Sequence, residues 1–185
     1  KMVINKESDI YFILNYFPNA TLAILKSDSQ TVEIVEQIRG NVLLFLDEDN
    51  NLLYERQSGV SVLRPGSSAP VAIKNLENSL VAIVRNDQYG NIYLGIVDNG
   101  KDVTSIALIS KQQLQNDVPE AEIFDVIDNE NQEIINMALD KENNLWICLV
   151  EESTDTGLIK KLENGTVSET IVEEYSRPNI LAVPA

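Results

Sequence analysis

One turn sequence occurs three times in this chain, each time between two apolar segments, and it constrains the fold more than any other feature. The copies begin at Asp47, Asp87 and Asp140 and read Asp-Glu-Asp-Asn-Asn-Leu-Leu, Asp-Gln-Tyr-Gly-Asn-Ile-Tyr and Asp-Lys-Glu-Asn-Asn-Leu-Trp. A self-similar unit of about 40 to 50 residues is typical of propellers and solenoids. The repeat therefore predicts a series of small antiparallel sheets.

The residue types within the turn explain its shape. The fourth position takes residues that tolerate positive φ, as a tight hairpin between twisted strands requires. The leading Asp can accept hydrogen bonds from backbone amides further along the turn, and an Asn follows the fourth position in every copy. These polar residues are therefore predicted to be structural: Asp47, Asn50, Asn51, Asp87, Gly90, Asn91, Asp140, Asn143 and Asn144.

Short apolar segments flank each turn and are predicted to be strands, and a third and a fourth strand follow in most copies. Four strands per unit is the count of a propeller blade. The fold class is therefore all-β, a β-propeller-like array of about four four-stranded antiparallel blades, either a small closed propeller or a fragment of a larger one. The units are predicted at residues 1–38, 39–77, 78–130 and 131–175, with 176–185 as a closing strand or the first strand of a further blade.

Two segments fit this pattern less well. In the first unit the turn is placed at residues 16–19, where the motif is degenerate. Residues 111–117 form a polar stretch that is predicted to be an inserted loop or a single helical turn, ended by Pro119. The whole chain is treated as a single domain.

The repeated pattern of an apolar strand, Asp-x-x-Gly/Asn-Asn-aliphatic-Trp/Tyr and a second strand resembles the blades of two-component-regulator sensor propellers and of related NHL-type propellers. The resemblance covers about residues 39–184 and is strongest over 140–147. This chain departs from that pattern where Asn replaces Gly in two of the three turns, and where Leu53 replaces the aromatic residue. The resemblance implies a non-catalytic, extracytoplasmic sensing or protein-binding domain of a bacterial sensor or surface protein.

The net charge of −15 restricts the partners. Phosphate backbones and anionic lipids require clusters of Lys and Arg, which the sequence lacks, so nucleic acid is not an expected partner. Most acidic side chains are expected to solvate loops, and calcium binding is the alternative. An EF-hand at Asp47 is excluded, because Leu52 stands where that loop needs Gly and Ser58 where it needs Glu. Calcium at a propeller loop stays open, and no other cofactor is expected.

The residue types present also limit the chemistry. The chain has no His, which excludes Ser-His-Asp and Cys-His nucleophiles and histidine-ligated metals. Cys148, the single cysteine, is predicted to fill space in a buried strand. We assign no catalytic and no metal-binding residue. The alternative function is a metal-dependent hydrolase or lactonase, because some propeller enzymes resembling the gluconolactonase group hold a metal with Glu, Asn and Asp.

Aromatic side chains are the remaining candidates for recognition. Tyr93 and Trp146 occupy the same place in their units, sixth after the leading Asp. They either pack between blades or, with Tyr54 and Tyr89, line one face where a carbohydrate, a peptide or a protein could stack. No apolar run is long enough to insert into a membrane. Exposed sheet edges would favour pairing with another copy or with neighbouring blades of a longer chain.

Overall fold

The computed structural model describes residues 1–16, 19–38, 43–56, 59–98, 103–127, 132–151, 156–163 and 165–176. Within these ranges the chain forms sixteen strands, arranged as four sheets of four. The first sheet contains β1 (Met2–Ile4), β2 (Ile10–Tyr16), β3 (Asn19–Leu25) and β4 (Val32–Ile38). The second contains β5 (Leu44–Leu46), β6 (Leu52–Arg56), β7 (Gly59–Leu63) and β8 (Val71–Ala72).

The third and fourth sheets repeat this arrangement. The third contains β9 (Ser79–Asn86), β10 (Ile92–Asp98), β11 (Val103–Ile109) and β12 (Glu122–Asp125). The fourth contains β13 (Gln132–Leu139), β14 (Leu145–Glu151), β15 (Thr156–Glu163) and β16 (Thr166–Ser176). A short helix, α1 (Lys111–Gln115), lies between β11 and β12, where the sequence predicts a loop or one helical turn.

Every sheet is an antiparallel meander in which strands that follow each other in sequence are paired. This is the strand arrangement of a propeller blade, so the predicted fold class is confirmed: the chain is all-β and propeller-like. Strands β1 and β12 were not predicted. The first is three residues long, and the second has charged residues at both ends, so neither shows a clear apolar pattern. The predicted strand near 179–183 lies outside the described residues.

The chain divides into two compact units. The N-terminal unit comprises residues 1–79 and 113–120, and the C-terminal unit comprises 80–112 and 121–185. The core of the N-terminal unit lies between its two sheets, where Leu22 and Ile24 meet Leu52 and Leu63. Burying a side chain of this size contributes about 1.5–3 kcal/mol to stability.

The core of the C-terminal unit is built in the same way. Ile106 of the third sheet packs with Met137, Ile147 and Leu149 of the fourth, all within one cluster of buried side chains. Four of the residues in this cluster are fully buried at 0 % exposure, which shows that the two sheets exclude water from the layer between them.

The face of the first sheet that points away from its core is also apolar. Strand pairing places its side chains in two rows, each of which crosses all four strands. The members at the sheet edges are largely exposed, at 55 to 62 %. The rows are Met2, Phe12, Ala23 and Ile34, and Ile4, Ile10, Leu25 and Val32.

Candidate ligand-binding site

The three predicted turns share one hydrogen-bond network. In the copy led by Asp87, Oδ1 accepts the backbone amides of Tyr89 and Asn91 at 2.9 Å each, and Oδ2 accepts Nδ2 of Asn91 at 2.8 Å. The copies led by Asp47 and Asp140 make the same three bonds at 2.7 to 3.0 Å. These carboxylates are therefore occupied by the turn itself. The fourth positions have positive φ: Asn50 63°, Gly90 83° and Asn143 65°.

A fourth copy of the turn joins β1 to β2, and the sequence analysis missed it. Here Asn5 leads and Asp9 closes: Asn5 Oδ1 accepts the Asp9 amide at 2.7 Å, and Asn5 Nδ2 donates to Asp9 Oδ2 at 3.4 Å. Ser8 takes the position with positive φ, at 67°. Tyr16 and Asn19 instead pair with each other at the ends of β2 and β3, so the predicted position of the first turn was wrong. An Asn-x-x-x-Asp spacing was the available signal.

The closing residue of a turn also holds the end of the third strand. Asp9 Oδ1 accepts the backbone amide of Ser27 at 2.9 Å, two residues beyond β3. Asn91 Oδ1 accepts the amide of Lys111 at 3.0 Å, two residues beyond β11. Because Asp9 is charged, it binds a cation as well: Lys26 Nζ lies 3.2 Å from its Oδ2.

The four aromatic candidates do not form one surface. Tyr54 is fully buried in the core of the N-terminal unit, where its hydroxyl donates to Glu36 Oε2 at 2.8 Å. Burial raises the pKa of the Tyr54 hydroxyl far above its ordinary value. Tyr93 is a core residue of the C-terminal unit at 9 % exposure, and Tyr89 is 64 % exposed at its turn. The expected surface role therefore does not fit the burial of Tyr54 and Tyr93.

Trp146 is half-buried and belongs to a turn. Its indole Nε1 donates to Asp140 Oδ2 at 2.9 Å, and Lys161 Nζ lies 5.7 Å from the ring centroid. Burial opposes the charged form of Asp140, yet the bonds from Asn144, Trp146 and the turn amides hold its pKa below the ordinary value. Trp146, a residue of β14, thus adds a side-chain hydrogen bond between this strand and the turn that precedes it.

A cavity of about 270 Å³ opens in the N-terminal unit, and residues of both its sheets line it. Tyr11 and Ile24 of the first sheet and Leu63 of the second form an apolar wall. Lys26, Glu33 and Arg64 are the charged residues of its lining. The sequence analysis did not single out any of these residues, because they come from strands that are distant in sequence.

The two cations of the cavity differ in their partners. Burial disfavours the Lys26 ammonium, but the adjacent Asp9 carboxylate outweighs this and raises the pKa of Lys26. The Arg64 guanidinium donates from Nε and Nη2 to the carbonyl oxygen of Leu114 at 3.2 Å, and from Nη2 to the carbonyl oxygen of Asn116. Within the described ranges Arg64 has no carboxylate partner, so its positive charge is not neutralised by an ion pair.

The described residues contain no group of three or more Cys, Asp or Glu side chains arranged to hold a metal ion. They also include no helix with the length and apolar character needed to cross a membrane.

No known family model matches this chain, and no curated protein matches it either. Among solved structures, 33 chains match. One is a quinonprotein alcohol dehydrogenase-like protein from Bacteroides thetaiotaomicron, 18 % identical, with a TM-score of 0.49; the match covers 94 % of this chain and 43 % of that one. The chain thus spans less than half the length of that protein. What defines its class is its own set of four blade-like meanders: it is a β-propeller-like protein.

Proposed function

We propose that this chain is a non-catalytic binding module, in which propeller-like sheets hold a small-molecule site in the N-terminal unit. The cavity between the first two sheets carries this proposal, because it combines an apolar wall with charged groups, as ligand sites usually do. Its volume of about 270 Å³ lies just below the range of about 300–1,000 Å³ for such sites, which suits a ligand of the size of an amino acid or a monosaccharide.

The scaffold around the cavity suits rigid binding. Lys6 N donates to Asn50 Oδ1 at 3.2 Å, and Asn50 Nδ2 donates to Glu7 Oε2 at 3.2 Å, so the first two turns are bonded to each other. Arg64, directly after β7, bonds to the carbonyl oxygen of Leu114 in α1 and to that of Asn116 just beyond the helix. A preformed site avoids the entropic cost of ordering its walls when the ligand binds.

The sensing part of the proposal is supported by the turns that resemble those of two-component-regulator sensor propellers. A sensor domain needs only a ligand and a scaffold that reports its presence, and it needs no catalytic group. From the same resemblance we propose that the module lies outside the cytoplasm, in a bacterial sensor or surface protein. A metal-dependent hydrolase or lactonase is the competing hypothesis, and metal titration distinguishes the two.

Two neighbouring substitutions test the cavity. Ser68 and Ala69 are both exposed in the loop before β8, and of the two it is Ser68 that lines the cavity. Ligand-observed NMR with a mixed panel of neutral, anionic and cationic small molecules should detect binding to the unmodified protein. Ser68→Trp should abolish that binding because the ring occupies the cavity, whereas Ala69→Trp should preserve it. Equal binding to both variants would disprove the location of the site.

Protein interaction is a second candidate function, favoured by the exposed apolar face of the first sheet. Apolar patches of this kind mark interaction sites. A second copy of this chain presents the same exposed apolar face, and two such faces can cover each other. Sedimentation in high salt, which screens the charge of −15, should show dimers that Val32→Glu abolishes. Gln37→Glu, at an exposed position of the same strand, should leave them intact.

A further inference from the structure

We infer that the cavity of the N-terminal unit takes a small monocarboxylic acid with an apolar tail, its carboxylate on Arg64 and its tail against Tyr11, Ile24 and Leu63. The inference rests on the proposed binding function and specifies the ligand class.

Arg64 supplies the anion-binding group. A guanidinium carries five N–H donors in a fixed plane. Three of them are used by the carbonyl oxygens of Leu114 and Asn116, and Nη1 makes no bond within the described part of the chain. The two carbonyls orient the group without neutralising it, so the guanidinium of this cavity-lining residue keeps its positive charge. Charge-assisted bonds from Arg to a carboxylate are among the stronger hydrogen bonds in proteins.

Lys26 is less suited to this role, although it lines the same cavity. Its ammonium lies 3.2 Å from Asp9 Oδ2, and the Ser27 amide lowers the pKa of that carboxyl, so the partner is ionised at neutral pH. An incoming anion would have to compete with an established ion pair. Lys26 is therefore not the receptor for the carboxylate.

Glu33 restricts the ligand to a single negative charge. It is an exposed residue of β4 that lines the cavity, and its charge contributes to the raised pKa of Lys26. A second carboxylate on the ligand would be repelled by Glu33 and would lie against an apolar wall. A branched or aromatic tail on the ligand would cover the remaining surface, which Tyr11, Ile24 and Leu63 form. This contact favours binding because it removes apolar area from water.

A matched pair of probes tests the inference. The probes are 4-methylpentanoate and its neutral amide, titrated by isothermal calorimetry or by NMR shifts at pH 7 into the unmodified protein, Arg64→Gln and Lys26→Gln. The acid should bind the unmodified protein at least about tenfold tighter than the amide, the ratio expected for a hydrogen bond to a charged group. Arg64→Gln should remove this preference and leave the affinity for the amide within about twofold. Lys26→Gln should keep the preference.

Each contrary result has a distinct meaning. Equal binding of acid and amide to the unmodified protein would overturn the ligand class and leave the binding function intact. Loss of acid and amide binding together in Arg64→Gln would show that Arg64 only anchors the segment at Leu114, and would also overturn the inference. Removal of the preference by Lys26→Gln instead would overturn the assignment to Arg64. If neither probe binds and the mixed panel also finds no ligand sensitive to Ser68→Trp, the proposed function itself fails.

Discussion

Exchanging two side chains of one turn tests why the repeat carries Asp first and Asn last. In the copy led by Asp87, the buried carboxylate accepts Nδ2 of Asn91 at 2.8 Å, while Oδ1 of Asn91 accepts the Lys111 amide at 3.0 Å. The turn at Asn5 and Asp9 makes the corresponding bonds with the two residue types reversed. The structure therefore predicts that the order is exchangeable, provided that both positions change together.

Each single change should destabilise the protein. Asp87→Asn puts an amide NH₂ against Nδ2 of Asn91, and rotation of the Asn91 amide would restore the contact only by giving up the Lys111 bond. Loss of one such charge-assisted bond costs about 1–2 kcal/mol. Asn91→Asp brings two carboxylates into contact where a hydrogen bond of 2.8 Å existed, and this repulsion costs about 2–3 kcal/mol.

The double variant Asp87→Asn/Asn91→Asp restores one donor and one acceptor at that contact, so it should lose about 1 kcal/mol or less. The coupling energy of the cycle is then about 2–4 kcal/mol, well above the value for independent sites. Urea unfolding followed by circular dichroism measures all four proteins, with an unchanged m value as the check on compactness. Glu142→Gln, an exposed turn position, is the control for charge alone and should change stability by less than about 0.5 kcal/mol. Additive losses in the double variant would refute the reasoning.

Three further predictions concern backbone strain, acid stability and metals. Gly59→Ala should lower the free energy of unfolding in urea by about 2–4 kcal/mol, because a Cβ at φ 117° would lie 2.0 Å from the carbonyl oxygen of Leu76. Gly66→Ala, at φ 73° with open space around it, should lower it by about 1 kcal/mol. Equal costs for the two variants would contradict this account. The Ser27 amide lowers the pKa of Asp9, so the ionised carboxylate stabilises the folded protein at any pH above the ordinary Asp pKa of about 4. This stabilisation is lost as the pH falls through the lowered pKa. The free energy of unfolding of Asp9→Asn should therefore change less between about pH 7 and pH 3 than that of the unmodified protein. Millimolar calcium or manganese should leave the melting temperature unchanged, and a saturable rise would favour the hydrolase hypothesis instead.

How far the sequence could predict the structure is seen in the turns. The copies led by Asp47, Asp87 and Asp140 were found because every bond of their network joins residues within four positions of each other. The copy at Asn5 and Asp9 escaped because its two residue types are exchanged, and a pattern written as Asp first does not recognise it. The two bonds that join the first and fifth residues occur in all four copies, and in the fourth copy the amide and the carboxylate have exchanged places.

The aromatic residues show where sequence reasoning stops. Tyr54 and Tyr93 have the spacing of strand residues, but alternation along a strand does not say which face another sheet will cover. Packing of the second sheet on the first buried Tyr54 completely and gave its hydroxyl a partner on β4, Glu36. Its exposure depended on a contact between residues far apart in the chain.

The sequence by itself determined three of the four turns, the strands that flank them and the all-β class, because these depend on φ preferences, short-range hydrogen bonds and apolar alternation. Only the tertiary structure decided the candidate site. Tyr11, Lys26 and Arg64 line one cavity because strand pairing and sheet packing bring them together, and nothing in their local sequence marks them. The physical reason is that turn chemistry acts over a few residues, whereas a cavity is defined by surfaces that meet only when the sheets pack.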